Sequence, residues 1–283
     1  MLLLVLMVLA VAAAALAGVC RMSLRKALHA RRAEEELQRR WAVVSCRSVL
    51  LPKAEAILSR AEKQTGVAAA EVRRDVHVGG QELTLVFGDE QAKANVNLLY
   101  RTGGLALADR AVRRVINTAD VAVDLRPLPE QPGGSREDEE SPPVFESFAQ
   151  VFRLSPPAAL IETANSARAA PASALTCWGD GSLHFRRAPA EVVREVCARH
   201  AGGALANRLV QIRDKHPEAE LSSALDQIKL SEPAREALDE LLTDESNCHS
   251  LWIITRSRDG NVYDLAVLDQ SSEEGGRPLV FSW

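Results

Sequence analysis

Two short stretches hold most of the side chains whose spacing suggests chemistry. Asp89, Glu90, Lys93, Asn95 and Asn97 lie within Gly88–Leu99, and Gly179, Asp180, Gly181, Ala188 and Pro189 lie within Gly179–Val193. Each stretch opens Gly-Asp, crosses a short spacer with alternating polar residues, and enters a helical pattern. A carboxylate beside a turn accepts backbone N–H bonds, and an Asn ahead of a helix caps it. Asn95 and Asn97 would project to one side of an extended strand. At the second stretch Pro189 suits a helical first turn, and Glu191 complements the positive end of the helix dipole. Turn and cap chemistry is therefore the leading expectation. A calcium or substrate site on these Asp and Asn residues is the alternative, with no ligands assigned.

Other groupings carry less. Cys197 and His200 share a helix face, and with Cys177 and His184 they suggest zinc. Their spacing matches no common structural site, and buried structural cysteine is far commoner. The five cysteines, Cys20, Cys46, Cys177, Cys197 and Cys248, form no framework. Outside the cytoplasm Cys177, Cys197 and Cys248 could supply one disulfide, its pairing open. G-x-S-x-G, H-E-x-x-H, P-loop and G-x-G-x-x-G patterns are missing, so no catalytic residue, cofactor site or metal site is expected. Around Gly202-Gly203 the segment ARHAGGALANRLVQIRDKHP reads as a helix-hairpin-helix, whose backbone N–H groups can face phosphates. Arg186 to His216 holds seven Lys/Arg against three Asp/Glu. A membrane-anchored DNA receptor for uptake is therefore the alternative function. A net charge of −4 argues against general nucleic-acid binding.

These residues must be positioned by a chain with an unusual start. MLLLVLMVLAVAAAALAGVC has no charged side chain, and twenty residues at about 1.5 Å each span the roughly 30 Å of a bilayer core. A retained membrane helix is expected ahead of a cleaved signal ending near Ala15-Leu16-Ala17, or of lipidation at Cys20, which Val19 disfavours. Arg21, Arg25, Lys26, Arg31 and Arg32 follow, a flank that the positive-inside tendency would hold in the cytoplasm. Beyond them Ala30, Ala33, Leu37, Trp41 and Val44 recur at helical spacing, and Pro52 marks a kink or first turn. Trp41 and Leu37 are expected to pack on the globular domain, as is Trp178.

The remaining 263 residues can hold one or two domains. The chain is 47% hydrophobic and only 4% aromatic, which favours helices over a β-sandwich. Val76, Val78, Leu83, Leu85 and Phe87 alternate around Gly79-Gly80 as a hairpin. The proline-rich acidic stretch 127–143, with Glu137–Glu140, reads as a solvated loop that could also attract calcium. Leu175 to Phe185 reads as strand, turn and strand. Ser250–Arg256 and Val262–Asp269 form a terminal hairpin through Arg258-Asp259-Gly260-Asn261, and PLVFSW adds an edge strand. Strands at both ends of a helical block predict an α+β fold, a sheet domain with a helical domain inserted. The expected divisions are a transmembrane helix over 1–20 and an amphipathic stalk over 21–60. A sheet domain over 61–97 with 246–283 and an inserted helical domain over 98–245 complete the plan.

With these motifs in view, the chain resembles the K-type minor pseudopilins of type II (general) secretion. That family carries a membrane helix with a stalk, a motif close to D-E-x-x-K-x-N-x-N, and a later G-D-G-x-x-N-x-N-x-A-P before a helix. Asp89, Glu90, Lys93, Asn95 and Asn97 match the first. Gly179, Asp180, Gly181, Ala188 and Pro189 match the second, whereas His184 and Arg186 stand where it has Asn. The likeness extends to ALANRLVQIRDKHP and the terminal hairpin, and so covers nearly the whole chain. It implies a pilin-like sheet with a large inserted helical domain, anchored in the inner membrane with its globular part periplasmic. It also implies a non-enzymatic role at the tip of a pseudopilus, helping to prime assembly for protein export. The partners would be other minor pseudopilins and inner-membrane secretion components. Val5 fits the family's lack of the usual fifth-position glutamate, a costly charge in a bilayer. The basic leader ending in Gly would lie upstream of Met1, unless this is a divergent relative without one. On the resemblance, the two motifs hold the inserted domain to the sheet.

Overall fold

The computed structural model describes residues 1–116, 145–151, 171–257, 260–270, 276 and 278–282. The acidic stretch 127–143 and the turn residues Arg258 and Asp259 lie outside them. The fold is α+β. Helix α1, Leu2–Leu50, is a single run of 49 residues, exposed on all sides as far as Glu34. A 3₁₀ turn, Leu51–Lys53, follows, with Pro52 where a missing N–H costs little. Helix α2, Ala54–Thr65, then continues to Gly66, whose φ of 70° closes it with an N–H bond to Glu62. The helical path thus tightens to a 3₁₀ turn at Pro52 and ends at Thr65.

Strands β1, Glu71–Val78, and β2, Gln81–Asp89, form a hairpin with Val78 opposite Gln81. Gly79 and Gly80 both have positive φ (58° and 78°), as a two-residue turn matching the strand twist requires. Strands β3, Ala94–Asn95, β4, Leu175–Thr176, β5, Leu183–His184, and β6, Leu242–Thr243, are two residues each. Strands β7, Cys248–Ser257, β8, Gly260–Asp269, and β9, Leu279–Ser282, complete an antiparallel sheet of order β1-β2-β7-β8-β9. Leu175 to Phe185 is strand, turn and strand as expected, but the two strands do not pair with each other: β4 pairs in parallel with β3, and β5 pairs in parallel with β6. Two-residue strands carry no periodicity from which a partner could be read.

Alternation along the central strands gives the sheet two apolar faces. Leu83, Leu85, Phe87, Leu251, Ile253, Ala266 and Leu268 point at α1 and α2, where Ala42, Val43, Cys46, Leu51, Ala54, Leu58 and Ala61 cover them. Val86, Trp252, Ile254, Leu265 and Val267 point the other way, into a core shared with the helices between β2 and β7. Those include α3, Val96–Ile116, broken at Gly104, and the helices Ala190–Ala201, Gly203–Lys215, Leu221–Asp226 and Glu232–Leu241. Trp178 is buried there, edge-on to Phe148. Trp41 and Leu37 depart from expectation. They are 66% and 56% exposed, because the stalk meets the sheet through the small face of Ala42, Val43 and Cys46.

Candidate functional site: the junction of sheet, stalk and inserted helices

Strand β2 ends on a buried polar knot. Asp89 is fully buried, and its Oδ1 accepts the N–H groups of Gln91 (3.0 Å) and Ala92 (3.2 Å), capping a 3₁₀ turn over Glu90–Ala92. Ser246 donates its hydroxyl to the same oxygen at 2.6 Å. The other carboxylate oxygen receives Arg187 at 3.1 Å. Arg187 is the centre of the junction: its Nε reaches Glu62 at 2.6 Å and its terminal nitrogens reach Glu55 at 2.6 and 2.8 Å. One guanidinium thereby ties α2, the end of β2 and the start of the Ala190–Ala201 helix. His249, on β7, touches Glu55 at 3.0 Å.

The electrostatics follow from this packing. Burial opposes ionisation of Glu55, yet hydrogen bonds from Arg187, His249 and Ser59 outweigh it and hold the carboxyl well below the usual range. Burial likewise disfavours charge on Arg187, but Glu55, Glu62 and Asp89 push its pKa up instead. Burial pulls His184 down, and its Nδ1 accepts the Arg187 backbone N–H at 3.2 Å, so the neutral ring carries its proton on Nε2.

A second buried cation lies nearby. Lys93 has no side-chain exposure and pairs with Glu90 at 2.6 Å and Glu71 at 3.4 Å. Burial would lower its pKa, but these two carboxylates raise it. Ser250 also donates to Glu90 Oε1, while Glu90 Oε2 has no hydrogen-bond partner among the described residues. Gly88 makes room for this cluster, since a Cβ there would stand 2.6 Å from Ser250 Oγ and 3.0 Å from Lys93 Nζ.

The asparagines act on neighbouring loops. Asn95 Oδ1 accepts from the N–H groups of Asn97 (2.9 Å) and Leu98 (3.2 Å), capping α3, and its amide donates to Trp178 O at 3.0 Å. Asn97 does not share the strand. It sits in the first turn of α3, donates to Phe145 O (2.9 Å) and Cys177 O (2.7 Å), and accepts the Phe145 N–H at 2.8 Å. Gln91 joins the two motifs by donating to Asp180 (2.9 Å) and Ser182 (2.6 Å). Gly179 and Gly181 adopt φ of 85° and 95° in that turn, and the Gly179 N–H donates to Asp269 on the sheet at 3.2 Å. Ala188 is buried and its carbonyl accepts from Arg213. Pro189 is the residue just before the Ala190–Ala201 helix, one position earlier than a first-turn residue.

The two motifs therefore meet, with Gln91 and Arg187 at their contact. Sequence reasoning missed Arg187 and its acceptors on α2, Glu55 and Glu62. One signal was present: Glu55, Ser59 and Glu62 form a polar i, i+4, i+7 stripe beside the apolar Ala54, Leu58 and Ala61. What the arrangement does chemically is hold fixed charges in pairs. Burial raises the thiols of Cys177 and Cys248 far above the usual range and that of Cys197 to about 12, so these sulfurs are protonated. Among the described residues no group of three or more His, Cys, Asp or Glu is placed to hold a metal ion. At the hairpin, Gly202 spends its N–H on Ala198 O and its carbonyl on Ala206, and Gly203 opens the next helix. The paired helices bury Val196, Cys197, Leu209 and Val210.

No family model and no curated protein matches the chain. Among solved structures it is similar to a chain in the crystal structure of the GspK-GspI-GspJ complex from the type 2 secretion system of enterotoxigenic Escherichia coli. The TM-score is 0.50 at 15% identity, over 90% of this chain and 99% of that one. At this identity the likeness shows the architecture. The chain has the α+β fold of a GspK-like minor pseudopilin.

Proposed function

We propose that this chain is a non-enzymatic, membrane-anchored subunit of a type II secretion pseudopilus, placed at the tip and assembled with other minor pseudopilins. The observation that carries this reading is the division of α1 into two apolar faces. Ala42, Val43 and Cys46 are spent on the chain's own sheet. On nearly the opposite side Ala30, Ala33, Leu37, Trp41 and Val44 are left to solvent. At 100° per residue these five fall within about 80° of the helix circumference, the geometry of a helix seam awaiting another helix. Apolar exposure of this extent marks a contact surface. The likeness to a chain solved with GspI and GspJ supports minor pseudopilins as the partners.

The anchor would be Leu2–Cys20, apolar and uncovered by the rest of the chain. The globular part would stand in the periplasm, in reach of inner-membrane secretion components. The motif residues Asp89 to Asn97 and Gly179 to Pro189 would serve rigidity, with no cofactor. Co-purification of the full-length chain in detergent with the GspI- and GspJ-like subunits of its own system tests the proposal. Leu37→Glu with Trp41→Glu should abolish co-purification without changing the melting temperature. Undiminished recovery of partners with the double variant would overturn it.

A further inference from the structure

Between the apolar segment and the globular domain α1 is a bare neck. Residues 21 to 34 are exposed on every side, and by Arg39 the helix is on the sheet, its guanidinium 3.4 Å from Thr255 and Asp264. The neck is strongly cationic. Arg21, Arg25, Lys26, Arg31 and Arg32 fall within twelve residues that contain no acidic side chain. Arg31 pairs with Glu35 at 3.2 Å, and the other four make no ion pair among the described residues. The sign then reverses at Glu34, Glu35 and Glu36.

Height decides which of these charges can meet lipid. At about 1.5 Å per residue Arg21, Arg25 and Lys26 stand roughly 2 to 9 Å beyond Cys20. The headgroup layer of one leaflet is about 5 to 8 Å thick. Arg31 and Arg32 stand roughly 17 Å out, and the acidic triplet higher still. Long basic side chains at this depth reach phosphate oxygens, and a guanidinium does so through two N–H bonds. The acidic triplet is repelled by the same surface, so the charge order along the helix has one polarity towards a negative membrane.

We infer that the neck is a binding site for anionic phospholipid headgroups, with Arg21, Arg25 and Lys26 on the phosphates. Free phosphate is not the ligand, because among the described residues no second element closes around these side chains. The inference rests on Leu2–Cys20 spanning a bilayer, and the test separates the two. Full-length protein is reconstituted into vesicles of phosphatidylcholine and phosphatidylglycerol at four to one, floated, extracted in mild detergent, and its co-purified lipids are weighed by mass spectrometry. Phosphatidylglycerol should be enriched at least about threefold over the bulk ratio. Arg21→Gln/Arg25→Gln/Lys26→Gln should still float yet return to the bulk ratio, whereas Arg40→Gln, above the acidic triplet, should keep the enrichment. A floating protein with lipids at the bulk ratio, or a triple variant as enriched as wild type, would overturn the headgroup site alone. A protein that fails to float even with pure phosphatidylcholine would overturn the anchor and the site together.

Discussion

Arg187 and Lys93 are two buried cations at one end of one sheet, yet they are wired differently. Lys93 takes Glu90 from its own turn and Glu71 from the adjacent strand. Arg187 takes Glu55, Glu62 and Asp89, all of them 98 or more positions away in sequence. The first cluster stiffens a turn, while the second joins stalk, sheet and inserted helices. A buried cation can therefore be a local brace or a cross-link between parts of the chain, depending only on who supplies the carboxylates.

Replacing Arg187 should separate these roles most sharply. Arg187→Met leaves Asp89 buried without its counter-charge, a loss of about 3–5 kcal/mol in the unfolding free energy of the full chain. If denaturant titration shows a loss no greater than for a surface arginine, the cross-link does not exist. Lys93→Met should cost less, about 2 kcal/mol, because it strands two carboxylates, Glu90 and the partly exposed Glu71, instead of three. Adding Glu90→Gln should recover most of that loss, and failure to recover it would break the contrast between brace and cross-link.

Acid offers a smaller, graded test. Glu55 has a folded pKa below its unfolded value of 4.5, so its contribution is complete above that pH and drains away as the pH falls further. His184 acts with the same sign from a higher starting point. Its folded pKa lies below 6.5, and stability is lost as the unfolded ring takes up a proton first. The melting temperature should therefore fall from about pH 6.5 downwards and more steeply below 4.5, with the lower limb flattened in Arg187→Met. The smallest effect is expected at Asn95. Asn95→Ala removes the α3 cap and should lower stability by about 1 kcal/mol. An unchanged melting curve would deny the cap its role.

The local half of this junction was legible in the sequence and the distant half was not. Asp89, Glu90, Lys93 and Asn95 lie within seven residues, so their spacing announces a turn, a brace and a cap. Arg187 is one of two adjacent arginines before Ala188-Pro189, and nothing in that string points to Glu55 or Glu62. The α+β class was readable because hydrophobic period changes from 3.6 to 2 and back along the chain. The stalk misled for a related reason. A stripe such as Leu37, Trp41 and Val44 has the same spacing whether it meets its own sheet or another molecule. The small residues Ala42 and Cys46, which do meet the sheet, look unremarkable in sequence.

The course of the long helix has a mechanical consequence. Arg39 lies beside Thr255 and Glu55 beside His249, so the helical path climbs along β7 instead of crossing it. A thrust along α1 is then resisted in shear, by every row of contacts at once. A sideways pull would meet those rows one after another, as in peeling. Beyond the 3₁₀ turn the thrust passes through Glu55 and Glu62 into Arg187 and on to the helices between β2 and β7. The attachment of helix to sheet is therefore stiff along the helix and weak across it.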